Sequence, residues 1–317
     1  MQREVDAIIN PVAGNGKAAR IWPRVERQLS GHQIQAHEHR TARAGEAAEI
    51  ARRLRDEGRD DIVVVGGDGT VNETVNGLLA GDPALARETV ISVIPCGTGR
   101  DFSRSIGIRS IDQAIVTAID GKVRAIDVAL ARFATPDGET SRYFVNVGDV
   151  GLGAETAAYI NHHERYAKLL GGFLTYFIGA IRTIAVYQPR LATVRVDGKI
   201  IHQGPLEIAF LANGRFHAGG MDVAPWSSNS DGELDVLVLR RVPKLVLMGS
   251  LLPKVYRGLH VGHPAVVNAR GETIEVDGPE PLAIEMDGEQ PGTTTLTVTV
   301  AKRALNVRVP DKGDDLR

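Results

Sequence analysis

Apolar residues follow two different rhythms along this 317-residue chain. In the first half, short runs without polar alternation (Val5 to Ile9, Ile62 to Val65, Val90 to Ile94) are separated by stretches with helical spacing: Lys17 to Leu29, Ala47 to Arg55, Thr70 to Leu79 and Ile111 to Ile119. A strand without alternation is buried on both faces, and this succession of strands and helices predicts a doubly wound parallel sheet. From about residue 127 the rhythm shortens to β-like runs bounded by turn signals, such as Thr193 to Val196 before Asp197-Gly198 and Leu234 to Leu239 after Asp231-Gly232. The second half therefore reads as mainly antiparallel. Two segments interrupt it: Tyr166 to Tyr187, apolar with scattered charges, and Arg240 to Gly262, with five Lys or Arg and no acid. Thr294 to Val300 and Leu305 to Val309 read as two closing strand-like pieces.

Composition narrows the class without naming it. Hydrophobic residues make up 43% and charged residues 24%, as in a globular protein of one large or two ordinary domains. A formal net charge of −2 gives no global pull towards nucleic acid, so nucleic acid is not an expected partner. The single cysteine, Cys96, excludes an intramolecular disulfide framework and a cysteine-based zinc site, which fits a reducing cytoplasm. The first residues lack the pattern of a signal peptide, and no charge-free stretch is long enough to span a bilayer, so a soluble or peripheral protein is expected.

The chemistry gathers in three glycine-rich turns that each follow a predicted strand: Asn10-Pro11-Val12-Ala13-Gly14-Asn15-Gly16-Lys17, Gly66-Gly67-Asp68-Gly69-Thr70 and Pro95-Cys96-Gly97-Thr98-Gly99-Arg100-Asp101. In an open parallel sheet all three would lie at the carboxyl ends of strands, the edge where ligands bind. Glycine lets backbone amides approach phosphate, and a following helix N-terminus adds unpaired N–H donors. Any one turn read alone is more simply a tight connection whose Asp68 or Thr70 caps a helix. Together they suggest a polyphosphate site with Asp68 placed for Mg²⁺. The Walker A spacing, the G-x-G-x-x-G dinucleotide pattern and the protein-kinase elements are all missing.

The set NPVAGNGKAAR (10 to 20), GGDGTVNETVNGL (66 to 78), PCGTGRDFSRS (95 to 105) and EMDGEQ (285 to 290), in this order, resembles the diacylglycerol kinase catalytic family, which includes soluble bacterial diacylglycerol kinases and sphingosine kinases. GGDGT alone is shared with NAD kinases and phosphofructokinases; the first and last segments favour lipid kinases. The resemblance implies an N-terminal α/β nucleotide-binding domain (1–127, rejoined by 304–317) and a C-terminal β-sandwich domain (128–303). ATP would bind between them, and its γ-phosphate would pass to a lipid hydroxyl, with diacylglycerol the first acceptor to consider. It further implies that Asn10, Gly14, Thr41, Gly67, Gly69, Thr70, Gly97 and Thr98 line the ATP site and that Asp68 organises Mg²⁺. Lys17 and Asp101 would join the adjacent polar network, Glu289 would contact the nucleotide, and Asp287 would be the general base. Asp127 matches another acidic position of the family. A structural Mg²⁺ site of the second domain would fall at Asp231 and Leu234. Two departures stand out: Ser230, where many members have an acid, and Arg100, where Asn is usual.

Without the resemblance, Asp287-Gly288 reads as a hairpin turn. Leu169 to Ile181 is thirteen residues without a charge, suited to an interface, an acyl-chain cleft or a core. Arg240, Arg241, Lys244, Lys254 and Arg257 could meet anionic headgroups at a membrane surface. The histidine pairs His37/His39 and His162/His163 lack partners at zinc-motif spacing, while His217 is placed at the border of an acceptor pocket. Family members often dimerise, which leaves a homodimer open. An NAD kinase-like nucleotide kinase and a non-catalytic lipid- or nucleotide-binding protein remain as alternatives.

Overall fold

A computed structural model describes residues 3–162 and 172–311. The chain divides into two compact units, Met1–Val128 with Lys302–Arg317, and Ala129–Ala301.

The first unit opens with β1 (Arg3–Ile9), α1 (Ala13–Gly31), β2 (Ile34–Arg40), α2 (Glu46–Asp56), β3 (Asp61–Gly66), α3 (Asp68–Leu79), β4 (Val90–Pro95), α4 (Asp101–Ser105) and α5 (Ile111–Asp120). β1 pairs in parallel with β2 on one side and β3 on the other, and β3 pairs in parallel with β4. Flanked on both edges and covered on both faces, Val5, Ala7, Ile8 and Ile9 are fully buried. The chain leaves β1 towards β2 and returns past it to β3, so the strand order reverses there. In open α/β sheets a ligand crevice forms at that reversal, outside the carboxyl ends of the strands. β2 has no apolar run because it pairs only with β1; its polar side chains are half exposed, and His39 Nε2 lies 2.8 Å from Asp6 Oδ1. α1 turns regularly only from Lys17 onward, since Gly14, Asn15 and Gly16 all have positive φ. From there Ala18, Trp22, Val25 and Leu29 recur at helical spacing and are buried.

The second unit follows with β5 (Lys122–Thr135, begun in the first unit), β6 (Gly138–Phe144), β7 (Val147–Gly151), α6 (Leu152–His162), α7 (Gly172–Val186), β8 (Arg190–Val196), β9 (Lys199–Ala212), the short hairpin β10 (Phe216–His217) and β11 (Met221–Asp222), and β12 (Leu234–Arg240). Helical turns Lys244–Val246, Leu247–Leu251 and Leu252–Val255 wind consecutively before β13 (Val266–Gly271), β14 (Thr273–Asp277), β15 (Ala283–Met286) and β16 (Glu289–Val309). The pairings of β7, β8, β9, β12, β13, β14 and β15 are antiparallel. The two strand-like pieces read near the end of the sequence are parts of one strand, β16. Its Leu296 to Thr299 pair with β14, and its Asn306 and Val307 pair in parallel with β4 of the first unit.

Alternation along β12 explains the layering of the second unit. Val236 and Val238 join a core with Val150, Val194, Ile274, Ile284 and Val298. Leu237 and Leu239 point to the other face of the sheet, where they pack with Leu152, Ile184, Phe210, Leu247, Leu251 and Val255. Fully burying each such side chain stabilises the fold by roughly 1.5–3 kcal/mol. Of the apolar stretch read at 169–181, residues 169–171 lie outside the described residues. No helix among the described residues is long and apolar enough to cross a membrane.

Candidate active site

The three glycine turns meet at the reversal point of the first unit. Backbone bonds tie the strand ends together: Asn10 N–H donates to Val65 O (3.0 Å), Thr41 N–H to Ile9 O (2.9 Å) and Cys96 N–H to Gly66 O (2.8 Å). Asn10 Nδ2 donates to Thr70 Oγ1 across 3.1 Å, joining the first turn to the second. Close approach then fixes which positions must be glycine. A Cβ on Gly14, whose φ is +60°, would stand 2.0 Å from Cys96 O, and one on Gly97 would stand 2.7 Å from Gly67 Cα. Thr98 is exposed, Gly67, Asp68, Gly69 and Lys17 are half-buried, and Thr41 and Thr70 are buried. The Lys17 and Arg100 charges both act on the Cys96 thiol, which burial pushes up.

Asp68 occupies the first turn of α3 without capping that helix. Its carboxylate instead accepts from the backbone N–H groups of Asp101 (3.4 Å) and Phe102 (3.3 Å) at the start of α4. A Cβ on Gly99 would lie 2.7 Å from Asp68 Oδ2 and 3.5 Å from Asp101 Oδ2. Two carboxylates thus flank one side-chain-free position, a hard-oxygen donor set that suits Mg²⁺. Arg104 Nη1 donates to Asp101 Oδ1 at 2.8 Å. Arg100 has φ +58°, a conformation Asn adopts more readily than Arg. That gives a physical sense to the family's usual Asn at this position. Asp127 is buried and accepts the backbone N–H of Arg303 at 2.8 Å.

The remaining candidate residues belong to the second unit. Asp287 and Gly288, with φ of +48° and +94°, form a two-residue hairpin turn between the paired Met286 and Glu289. The Asp287 carboxylate accepts three backbone N–H groups, from Val145 (2.8 Å), Asn146 (3.0 Å) and Val147 (3.3 Å). Nothing in the local sequence signals this clamp, because its donors lie about 140 positions away. Glu289 lies 2.7 Å from Arg142 Nη1. Asp231, ahead of Leu234, faces the Arg270 guanidinium at 3.4 Å; the same guanidinium lies 3.6 Å from Glu233 and donates to Asp235 at 3.0 Å. The acids at this position are neutralised by a protein cation, so the donor set does not fit a divalent ion unless Arg270 is displaced.

Also in the second unit, a cavity of about 750 Å³ including its mouth opens beside the outer apolar layer, with Leu152, Ala180, Ile184, Phe210, Leu251 and His217 in its wall. The space inside it that a water-sized sphere can occupy is about 100 Å³, below the roughly 300–1,000 Å³ of ligand pockets, so an acyl chain would have to widen it. Sequence reasoning placed His217 near such a pocket but missed its partners. His217 Nε2 lies 3.3 Å from both Asp149 Oδ2 and Glu285 Oε2, and all three side chains are buried.

A parallel α/β unit with phosphate-type turns, joined to an antiparallel sandwich, is the fold shared by diacylglycerol kinases and NAD kinases. The diacylglycerol kinase catalytic domain model matches residues 4–131, and the YegS C-terminal NAD kinase beta sandwich-like domain model matches residues 148–309. The chain belongs to the family that joins a diacylglycerol kinase catalytic domain to a YegS-type C-terminal domain. It is 28% identical to the diacylglycerol kinase of Bacillus subtilis (strain 168), covering 98% of this chain and 97% of that one. To the diacylglycerol kinase of Staphylococcus carnosus (strain TM300) it is 26% identical, over 98% and 96% of the two chains. A crystal structure of a diacylglycerol kinase from Bacillus anthracis str. Sterne superimposes with a TM-score of 0.73 at 19% identity, covering 98% of each chain. Yeast NADH kinase shares the fold at a TM-score of 0.53 and 9% identity, over 99% of this chain and 84% of that one.

Proposed function

We propose that the protein is an ATP-dependent lipid kinase that phosphorylates a lipid hydroxyl, with diacylglycerol as its principal acceptor. The observation that carries this reading is the apolar cavity of the second unit. Glycine turns of this kind serve nucleotide kinases equally well, whereas a cavity walled by Leu, Ile, Phe and Val suits an acyl chain and not a nucleotide.

In this reading the first unit holds ATP. Gly14, Gly67, Gly69 and Gly97 leave room for backbone amides against the phosphates, and Asn10, Thr41, Thr70 and Thr98 supply side-chain polar groups. Lys17 adds positive charge where phosphate charge develops. Asp68, with Asp101 beside it, would hold Mg²⁺, which when bound neutralises phosphate charge and orients the transferring group. Glu289 is assigned to the nucleotide, sharing its charge with Arg142. Phosphoryl transfer runs largely through a loose transition state, so the acceptor hydroxyl loses its proton late and needs an oriented carboxylate more than a strong base. Asp287 is assigned that role, with its three backbone N–H donors fixing the carboxylate's direction.

The same reading brings the protein to a membrane surface as a peripheral enzyme. The helical segment that supplies Leu247, Leu251 and Val255 to the apolar layer also presents Leu245, which is 86% exposed; Leu259, just beyond it, is 61% exposed. Lys254 and Arg257 are exposed nearby, a combination suited to an anionic lipid surface. The test is transfer of radiolabelled phosphate from ATP to a total lipid extract, with the product identified by mass spectrometry. A labelled glycerolipid is expected; label on NAD and on no lipid would replace this reading with a nucleotide kinase.

A further inference from the structure

β7 and β15 place two acids directly opposite each other: Asp149 pairs with Glu285 in the antiparallel register. Like charges in that relation destabilise a sheet, and both side chains are buried, at 1% and 2% exposure. His217 Nε2 stands 3.3 Å from each. One imidazole cannot serve both acids well, and neither Asp149 Oδ2 nor Glu285 Oε2 has a hydrogen bond of good geometry. Their other oxygens are used locally: Asp149 Oδ1 accepts from Ala154 N–H at 2.7 Å, and Glu285 Oε1 accepts from Gly288 N–H in the Asp287 turn. Burial pushes the Glu285 carboxyl well above the usual range, against the pull of His217.

This arrangement lies at the wall of the apolar cavity. His217 and Gly153 both line it, and a Cβ on Gly153 would fall 2.5 Å from either Asp149 oxygen. A side chain at position 153 would therefore crowd the Asp149 carboxylate. Among the other polar groups of the wall, Thr156 Oγ1 donates to Leu152 O and His260 Nε2 is bonded to Val223 O, while His260 Nδ1 is buried without a hydrogen bond. The otherwise aliphatic wall thus carries two histidines, of which His217 is the one standing 3.3 Å from two buried acids.

We propose that His217, with Asp149 and Glu285 behind it, is the specificity-determining station for the acceptor lipid, taking an uncharged hydroxylated headgroup and disfavouring an anionic one. This rests on the lipid-kinase reading. A hydroxyl both donates and accepts, so it can bond within an acid–imidazole group without bringing in charge. An anionic headgroup would bring an uncompensated negative charge into a desolvated site that already holds two acids.

The experiment compares dioleoylglycerol with phosphatidylglycerol as acceptors in mixed micelles, using the full chain and its His217→Gln and Glu285→Gln variants. Wild type is expected to favour dioleoylglycerol by at least about tenfold in kcat/KM. His217→Gln should raise the KM for dioleoylglycerol and shrink that preference by about tenfold, with the KM for ATP unchanged. A folded His217→Gln protein with unaltered preference overturns the proposal, as does a wild type that favours phosphatidylglycerol. If His217→Gln does not fold, the isosteric Glu285→Gln decides: a reduced discrimination against phosphatidylglycerol supports the station, and none overturns it. Were wild type to phosphorylate no lipid, the kinase reading would fail separately. Equilibrium binding of fluorescent uncharged and anionic lipids would then test the station, and equal discrimination in wild type and Glu285→Gln would overturn it. Tight binding of Zn²⁺ or Mg²⁺ that depends on His217 would mark a cation site instead and also overturn it.

Discussion

A Cβ on Gly14 would stand 2.0 Å from the carbonyl oxygen of Cys96, so the turns after β1 and β4 lie backbone against backbone. Gly14→Ala must both force a methyl into that carbonyl and adopt a φ of +60°. The expected result is a stability loss of about 1–3 kcal/mol from the backbone conformation and displacement together. ATP affinity should weaken by about tenfold or more as the loop moves. Gly16→Ala serves as the control, since φ there is +78° but its Cβ would meet only the flexible end of Arg20 at 3.5 Å. Calorimetric titration with ATP reads the difference. Unchanged affinity in a folded Gly14→Ala protein would count against the phosphate cradle.

The buried Glu285 gives a pH signature. Its folded pKa is raised by burial, so the sign is that of a group whose ionisation opposes folding. Its contribution is fully present below the ordinary carboxylate pKa and is lost as pH rises through the folded value. Glu285→Gln keeps an oxygen for Gly288 N–H and removes the ionisation. Thermal melts should therefore show the variant gaining on wild type as pH rises from 5 to 8, with the gap closing towards acid. A gap that is constant with pH would mean that Glu285 is not the group responsible.

With Arg270 beside Asp231, Glu233 and Asp235, the second-unit acids are expected to need no metal. Without nucleotide, EDTA should leave the melting temperature of the wild type unchanged. Arg270→Met removes the guanidinium from Asp231, Glu233 and Asp235, of which Asp235 keeps the Trp226 Nε1 bond of 2.8 Å. The guanidinium is 36% exposed, so the loss should be about 1–2 kcal/mol, less than for a fully buried pair. Mg²⁺ should restore part of it in the variant alone. An EDTA-sensitive wild type would show that an ion does displace the guanidinium.

Much of the first unit was legible because parallel strands buried on both faces read as unbroken apolar runs, and because glycine turns carry their signal within a few residues. β2 was not legible, since an edge strand paired only with β1 reads IQAHEHR and resembles loop composition. The two strand-like pieces at the end of the chain are one strand because Ala301 to Leu305 continue it through a polar interval, in which Arg303 takes a φ of +49°. Within the site, spacing suggests that Asp68 is special, but its hydrogen bonds to Asp101 and Phe102 depend on how two turns approach. The Asp149–Glu285 pairing depends on register between strands far apart in sequence, and a buried acid such as Glu285 looks in sequence like any charge beside a turn. Local periodicity carries elements; it carries no information about which distant polar groups are brought together without water.

Asp287→Asn separates two roles that share one side chain. The carboxylate accepts three backbone N–H groups, and an amide presents one oxygen and one NH₂, so at least one of those donors would face another donor. That mismatch should cost about 1–3 kcal/mol of stability, measurable by denaturant unfolding. A protein of ordinary stability, about 5–15 kcal/mol, remains folded after such a loss. If Asp287 also accepts the hydroxyl proton, kcat should fall by about 10²–10⁴-fold, with the KM for ATP nearly unchanged because the phosphate-binding groups are assigned to the first unit and Glu289 keeps its side chain. Loss of stability with kcat retained would leave Asp287 as a clamp on Val145, Asn146 and Val147 and move the base elsewhere. Loss of both, with unchanged KM values for ATP and for the acceptor in protein shown to be folded, supports the base assignment, because a displaced clamp alone would be expected to disturb acceptor binding as well as turnover.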